Sequence, residues 1–251
     1  MYMNLTLIIP CYNEEANIKK DVLDRIGNFT KDDNRFSEVL IVDDGSTDHS
    51  IGLITQDYLP KFPKMRLIKN NHLGKAYAII TGIKNAKSEF VMFSDIDLAT
   101  PIEESEKLIK YAGQGFDIVI GSRKNEREGA PLTRKLMAFG MIFIRQYVIG
   151  LKRIRDTQCG FKLFRTQAAK DIIENLRVFT KDEIAEGSSV SAGFDLEFLF
   201  LGSRLKYKTK EVPVSWKHVE TKNVTFIKSS FEGLRDILMI KWYELLKKYP
   251  R

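Results

Sequence analysis

Asp95 and Asp97 stand two residues apart, just after the apolar run 89–94 (EFVMFS). That run is β-prone and reads as a buried central strand of an α/β sheet. In extended geometry the side chains of residues i and i+2 fall on one side. Two carboxylates so placed repel each other unless a cation lies between them. The carboxyl end of a strand is where an open α/β sheet binds ligands. Hard carboxylate oxygens at that place suit Mg2+ or Mn2+ held against a diphosphate. An acidic turn would offer the same two residues, so the pair is weighed by its surroundings. Thr100, Pro101 and Glu103 follow at once. They match the N-cap, N1 and N3 pattern and predict a helix that starts there.

Other apolar runs end in polar residues of the same kind. The first leads into Pro10-Cys11-Tyr12-Asn13-Glu14 and the second into Asp43-Asp44-Gly45-Ser46. The third leads to His72-Leu73-Gly74-Lys75, and the fifth ends in Gly121-Ser122-Arg123. In a parallel sheet all these ends share one edge, and a nucleotide lying across it could use each in turn. Tyr12 can pack on a base or fill the core. Asp43 can accept an imide or amide proton of that base, or Asp43–Ser46 can be a plain turn with an N-cap. Lys75 can neutralise phosphate charge or simply open a solvated helix. The GKAYA segment lacks the upstream glycine of a P-loop, and no GxGxxG occurs. Nucleotide hydrolases of the P-loop type and dinucleotide enzymes are therefore disfavoured.

These ends must be carried by alternating elements. Strands are expected at Leu5–Ile9, Glu38–Val42, Met65–Lys69, Phe90–Phe93 and Asp117–Ile120. Helices are expected over 14–26, from Ser46 as a cap, over 74–86 and over 102–111. Strands separated by helices of this length imply βαβ units, right-handed crossovers and a mostly parallel sheet. The 251 residues suffice for a real core, and 43% hydrophobic and 29% charged residues are ordinary for a globular protein. A net charge of +7 favours anionic partners. Two cysteines, Cys11 and Cys159, make no disulfide framework or metal spacing, so a reducing cytosol is expected. His49, His72 and His218 show no ligand spacing either. The longest apolar run, Met137–Ile144, stops at Arg145, far short of a bilayer span.

Together these residues resemble the family-two inverting glycosyltransferases of the GT-A fold. IIPCYNEEANI is similar to the opening motif of that family, IVDDGSTD to its base-binding turn and SDIDLATP to its metal-binding D-x-D. DTQCGFKLFRTQAA, GFDLEFLF and EVPVSW resemble polyprenyl-phosphate sugar synthases, particularly dolichyl-phosphate β-glucosyltransferases. The likeness covers roughly residues 4–245. It implies one α/β domain over 1–251 with a GT-A type, Rossmann-like fold. Residues 1–121 would hold the nucleotide-sugar, and 122–251 would face acceptor and membrane. It implies inverting transfer of a hexose, glucose from UDP-glucose, to polyprenyl or dolichyl phosphate. A GDP-mannose enzyme and a transferase with a soluble sugar acceptor are the alternatives. Pro10, Tyr12, Glu14, Asp43, Asp44, Lys75 and Asp95 would line the nucleotide-sugar. Asp97 would hold Mg2+ or Mn2+, assisted by Asp95. Arg123 and Arg134 would hold the acceptor phosphate, with Asp156 also in the catalytic set. Gln158, Asp195 and Glu197 would lie around the sugar. Cys11 and Ala99 depart from the pattern, and Ala99 puts any metal ligand beyond Asp97 in question.

A phosphate monoester has a second pKa near 6, so such an acceptor is mostly dianionic at neutral pH and needs no general base. It does need cations, and guanidinium groups bind phosphate bidentately. A lipid acceptor also needs membrane contact. Residues 132–149 are apolar over much of a helix, with Arg134, Lys135 and Arg145 as basic residues. Residues 226–248 interleave Leu234, Leu238, Trp242 and Leu245 with Arg235, Lys241, Lys247 and Lys248. Both have the composition of an interfacial helix, and 226–248 reads equally as a core helix. A peripheral enzyme on the cytoplasmic face of a membrane is expected. Nucleic acid is disfavoured as a partner, because the strand-end carboxylates would repel a polyanion. Trp216 reads as a core residue or as a platform for the sugar, with the core favoured.

Overall fold

The computed structural model describes residues 3–123, 146, 148–151, 154–179, 192–217 and 226–250, leaving aside the side chains of 192 and 226–233. Among the described residues seven strands form one sheet: β1 (Leu5–Cys11), β2 (Phe36–Asp43), β3 (Met65–Lys69), β4 (Phe90–Phe93), β5 (Ile118–Arg123), β6 (Lys162–Arg165) and β7 (Thr209–Val214). Their order is β3-β2-β1-β4-β6-β5-β7. Every neighbouring pair is parallel except those made by β6, which runs against both β4 and β5. Two reversals cancel, so β5 points the same way as β4. The chain leaves β1, β2, β4 and β5, and enters β6, at one edge.

Helices cover both faces, as the nearly unbroken burial of the central strands requires. In β1, Ile8 faces α4 (Lys75–Asn85), while Leu7 and Ile9 face α2 (Val22–Lys31) and α5 (Ser105–Ala112). This alternation continues through Leu40 and Val42 against Val39 and Ile41 in β2. The first face is completed by α6 (Thr166–Glu174), α7 (Ala192–Arg204) and α8 (Phe226–Leu245).

Several expected boundaries move. The single helix over 14–26 is two, α1 (Glu15–Ile18) and α2, because Asp21 adopts a left-handed φ of 59° between them. Ser46 caps no helix. The next one, α3 (Ser50–Leu53), follows His49, and the hydroxyl of Ser46 accepts the Asn13 N–H instead, at 2.9 Å. The helix after Pro101 starts as a 3-10 turn, Ile102–Glu104, with no side-chain cap. β4 ends at Phe93, so Asp95 and Asp97 are not on an extended strand. They sit in a turn closed by the Leu98 N–H on the Asp95 carbonyl, with Leu98 at a φ of 50°.

Candidate active site

The turn after β2 holds two buried aspartates with different tasks. One oxygen of Asp43 accepts the N–H groups of Gly45 and Ser46 at 3.0 and 3.1 Å. Its other oxygen, Oδ1, is buried with no hydrogen-bond partner among the described residues. Such an atom carries a desolvation cost unless a ligand satisfies it. Asp44 is spent on the protein itself. It accepts the N–H of Leu73 at 3.1 Å and of Gly74 at 2.7 Å, and lies 2.8 Å from His72 Nδ1. That replaces the expected nucleotide contact with an anchor for the loop that leads into α4. The Tyr12 ring lies flat on His72, with centroids 4.0 Å apart and planes 10° apart.

The loop after β1 is sewn to the loop after β2. Asn13, at a φ of 53°, accepts the Thr47 N–H at 2.8 Å. The Glu14 N–H donates to Ser50 Oγ, and the Glu15 N–H to Asp48. Glu14 uses its carboxylate locally, on the Asn17 amide at 2.6 Å. Pro10 and Cys11 are buried in β1, and burial followed by the Asp43 charge pushes the Cys11 thiol far up. Cys11 is thus an apolar core residue beside the turn after β2.

Three cation–carboxylate pairs and one lone carboxylate make up the centre of the edge. Lys75, at the start of α4, is ion-paired to Asp95. Burial alone would lower its pKa, but Asp95 outweighs that and raises it. Arg123 grips Asp156 through Nε at 2.7 Å and Nη2 at 2.9 Å, with its own N–H on the same carboxylate at 3.0 Å. Burial would raise the Asp156 carboxyl, yet Arg123 holds it below the ordinary value. Lys162, almost fully buried, reaches Asp195 and the Cys159 carbonyl, each at 2.6 Å. Asp97 is different. It accepts the Ala99 N–H at 3.0 Å, and no cation is within ion-pair reach among the described residues. Burial and the neighbouring Asp95 push its pKa up. Gly160 packs so tightly that a Cβ would overlap the Asp95 carboxylate. The Asp156–Gly160 loop therefore lies directly on the D-x-D turn. Gln158 is exposed on that loop, its N–H on Asp156 at 3.1 Å.

Two expectations are corrected. Glu197 does not face the edge. It is fully buried and accepts the N–H groups of Arg177, Val178 and Phe179 and the hydroxyl of Tyr249. Trp216 is not in the core but 40% exposed, with the Arg123 guanidinium 5.6 Å from its ring. The next residue, Lys217, donates its N–H to the Ala99 carbonyl at 2.8 Å, which ties the segment after β7 to the D-x-D turn. Arg134 and His218, and with them most of 132–149, lie outside the described residues. The sequence reading missed Asn13, Ser46, Ser50, His72 and Lys162. For Lys162 a signal existed: a lysine opening an apolar strand next to a Cys-Gly turn.

The family model described as "Glycosyl transferase family 2" matches residues 6–173. Among curated proteins, a dolichyl-phosphate beta-glucosyltransferase of Dictyostelium discoideum is 29% identical over 96% of this chain and 75% of its own length. Dolichyl-phosphate beta-glucosyltransferase ALG5A of Trichomonas vaginalis is 34% identical over 86% of this chain and 66% of its own. The chain thus spans two-thirds to three-quarters of these relatives. Among solved structures, glucosyl-3-phosphoglycerate synthase from Mycobacterium tuberculosis, in complex with Mn2+, UDP and glucosyl-3-phosphoglycerate, aligns with a TM-score of 0.61. It is 16% identical, over 94% of this chain and 79% of that one. The fold is of the GT-A type: a Rossmann-like, mostly parallel sheet between helices.

Proposed function

We propose, because the chain belongs to glycosyl transferase family 2, that it moves a hexose with inversion from a nucleotide-sugar to the phosphate of a polyprenyl lipid. The observation that supports this reading is one edge that brings together Asp43, with its unpaired buried oxygen, and Lys75, Asp95 and Asp97. Asp43 Oδ1, buried and unpaired, suits the imide N–H of a uracil base. Tyr12 and His72 would flank that base. The diphosphate would then lie toward Lys75, whose ammonium can pass from Asp95 to a phosphate oxygen.

Asp97 and Asp95 fit a divalent ion. They are hard oxygen donors, Asp97 is partly buried with no ion-paired cation among the described residues, and the pair raises its own electrostatic cost. Mg2+ characteristically takes one or two carboxylates and fills its remaining positions with water and substrate phosphate. Mg2+ or Mn2+ held there would neutralise charge on the leaving diphosphate. The acceptor phosphate, already dianionic, attacks the anomeric carbon from the face opposite the diphosphate. The phosphate–carbon bond forms as the carbon–diphosphate bond breaks, and no proton has to be removed. Arg123 would steady that phosphate, its fork aimed by Asp156. Arg134 is proposed as its second cation. Asp195 and Gln158 would meet sugar hydroxyls.

UDP and glucose are the proposed nucleotide and sugar, supported by relatives named dolichyl-phosphate beta-glucosyltransferases. A polyprenyl phosphate is membrane-borne, so the enzyme would work at a membrane surface. The two free, buried cysteines suit its reducing, cytoplasmic side. A panel of nucleotide-sugars, each supplied with polyprenyl phosphate and Mg2+ or Mn2+ and read by product mass, tests the reading. A hexosyl phosphate lipid formed best from UDP-glucose is expected. Preference for GDP-mannose would correct the donor, and transfer only to soluble sugars would overturn the acceptor.

A further inference from the structure

The helix α8 has two apolar faces, and among the described residues only one is used inside the molecule. Ile237 and Ile240 are buried against the rest of the fold. Asp236, also buried, lies where a Cβ on Gly193 would overlap it, near the start of α7. Glu244 meets Arg204, the last residue of α7, at 3.4 Å. The two helices therefore run parallel. The start of α7 is also where Asp195 reaches Lys162 at the catalytic edge. So α8 descends one flank of the molecule from that edge.

Its outer face carries Leu234, Leu238, Trp242 and Leu245, spaced by four, four and three residues, which is one stripe of a helix. The last three are 63%, 62% and 74% exposed. At about 1.5 Å per residue the stripe is roughly 16 Å long. Leu234, Leu238, Met239 and Trp242, with Arg235, also line a shallow groove of about 540 Å3. Among the described side chains of α8 the acidic residues are turned inward or paired. Asp236 is buried, and Glu244 is held by Arg204 and Lys241. Arg235, Lys247 and Lys248 are exposed along and below the stripe. Among the described residues no helix is long and apolar enough to cross a membrane.

We propose that this stripe is the surface on which the enzyme rests on an anionic membrane, with α8 lying in the headgroup–acyl boundary. The inference deepens, and for its purpose rests on, the reading of a lipid-borne acceptor. Leucines and a tryptophan flanked by lysine and arginine are what such a boundary takes up. A second copy of the chain suits the stripe less, because two-fold pairing would bring the same basic residues together. The membrane then runs along the flank rather than across the catalytic edge. That edge, at the upper end of α8, opens sideways over the headgroups, where a lipid phosphate can enter laterally.

Flotation with phosphatidylcholine vesicles, pure or carrying about one-third phosphatidylserine, tests this without acceptor or donor present. The wild type should float with the anionic vesicles at low salt and much less with the neutral ones. Leu238→Ser with Trp242→Ser should lower binding about tenfold or more, with unchanged thermal unfolding, since both side chains are exposed. Lys247→Glu with Lys248→Glu should weaken binding to anionic vesicles alone. Equal flotation of the Leu238→Ser/Trp242→Ser variant, or no flotation of the wild type, would overturn the proposal. So would a wild-type dimer in sedimentation that those substitutions dissociate, which would give the stripe to a second copy. Turnover of a short, water-soluble polyprenyl phosphate is measured in parallel. Its absence would sink the transfer reading and leave the flotation result standing.

Discussion

Asp43 and Asp44 are adjacent, both buried, and opposite in use. Asp44 has its oxygens filled by the 72–74 loop, whereas Asp43 keeps one for a ligand. Asp43→Asn should weaken uridine nucleotide binding by about ten- to a hundredfold, the loss of one charge-assisted hydrogen bond. Titration calorimetry would read it, and unchanged affinity would remove Asp43 from the base site. Arg123→Ala should raise the KM for acceptor about tenfold or more while sparing that for donor. Lys should restore only part, since it lacks the fork. A loss confined to the donor KM would reassign Arg123 to the nucleotide. The strand-end residues Asp43, Lys75, Asp95, Asp97 and Arg123 were legible because strand ends in a parallel sheet must share an edge. Glu197 misled because it was read together with Asp195. Residues two apart on a helix point to nearly opposite sides, so Asp195 at the edge forces Glu197 inward. Its partners Arg177 and Tyr249 come from remote segments that periodicity does not connect.

At the scale of elements, the edge is assembled by loops that hold one another. The loops after β1 and β2 exchange hydrogen bonds through Asn13, Ser46, Asp48 and Ser50. The local pattern suggested a cap at Ser46, and the pairing of the two loops took its hydroxyl instead. The strands up to β5 and their shared direction were legible, though not their order in the sheet. The antiparallel β6, which brings the Asp156–Gly160 loop onto the D-x-D turn, was not, because a short apolar strand carries no direction in its sequence. Gly160→Ala tests that contact. The added methyl would collide with the Asp95 carboxylate, so either the turn or the loop must shift. Transfer should fall about tenfold or more, in keeping with the sensitivity of positioned groups to small displacements. Thermal unfolding should change far less. Full activity in Gly160→Ala would show that the loop does not position Asp95.

For the whole molecule, acid stability and ligand binding follow from how carboxylates are paired. Arg35 hydrogen-bonds Asp33 and holds its carboxyl below the usual value despite some burial. Arg123 does the same for Asp156 against a larger burial cost. A depressed folded pKa stabilises the fold fully above the unfolded value, about 3.9 for Asp. That contribution is lost as pH falls through the folded value. Tm should therefore be flat from neutral pH to about 5 and drop below about 4. Asp33→Asn should soften the drop, and an unchanged acid limb would show that Asp33 does not contribute. Asp97 is the opposite case, a carboxylate raised by burial and by Asp95, with no cation in ion-pair reach among the described residues. Most direct for the account as a whole is calorimetric titration of UDP into the protein in Mn2+ and in EDTA, repeated with Asp97→Ala. Binding about tenfold or more tighter in Mn2+, with Asp97→Ala in Mn2+ behaving like the wild type in EDTA, is the expected result. Equal affinity with and without the metal in the wild type would contradict an edge built to hold a nucleoside diphosphate through Asp97.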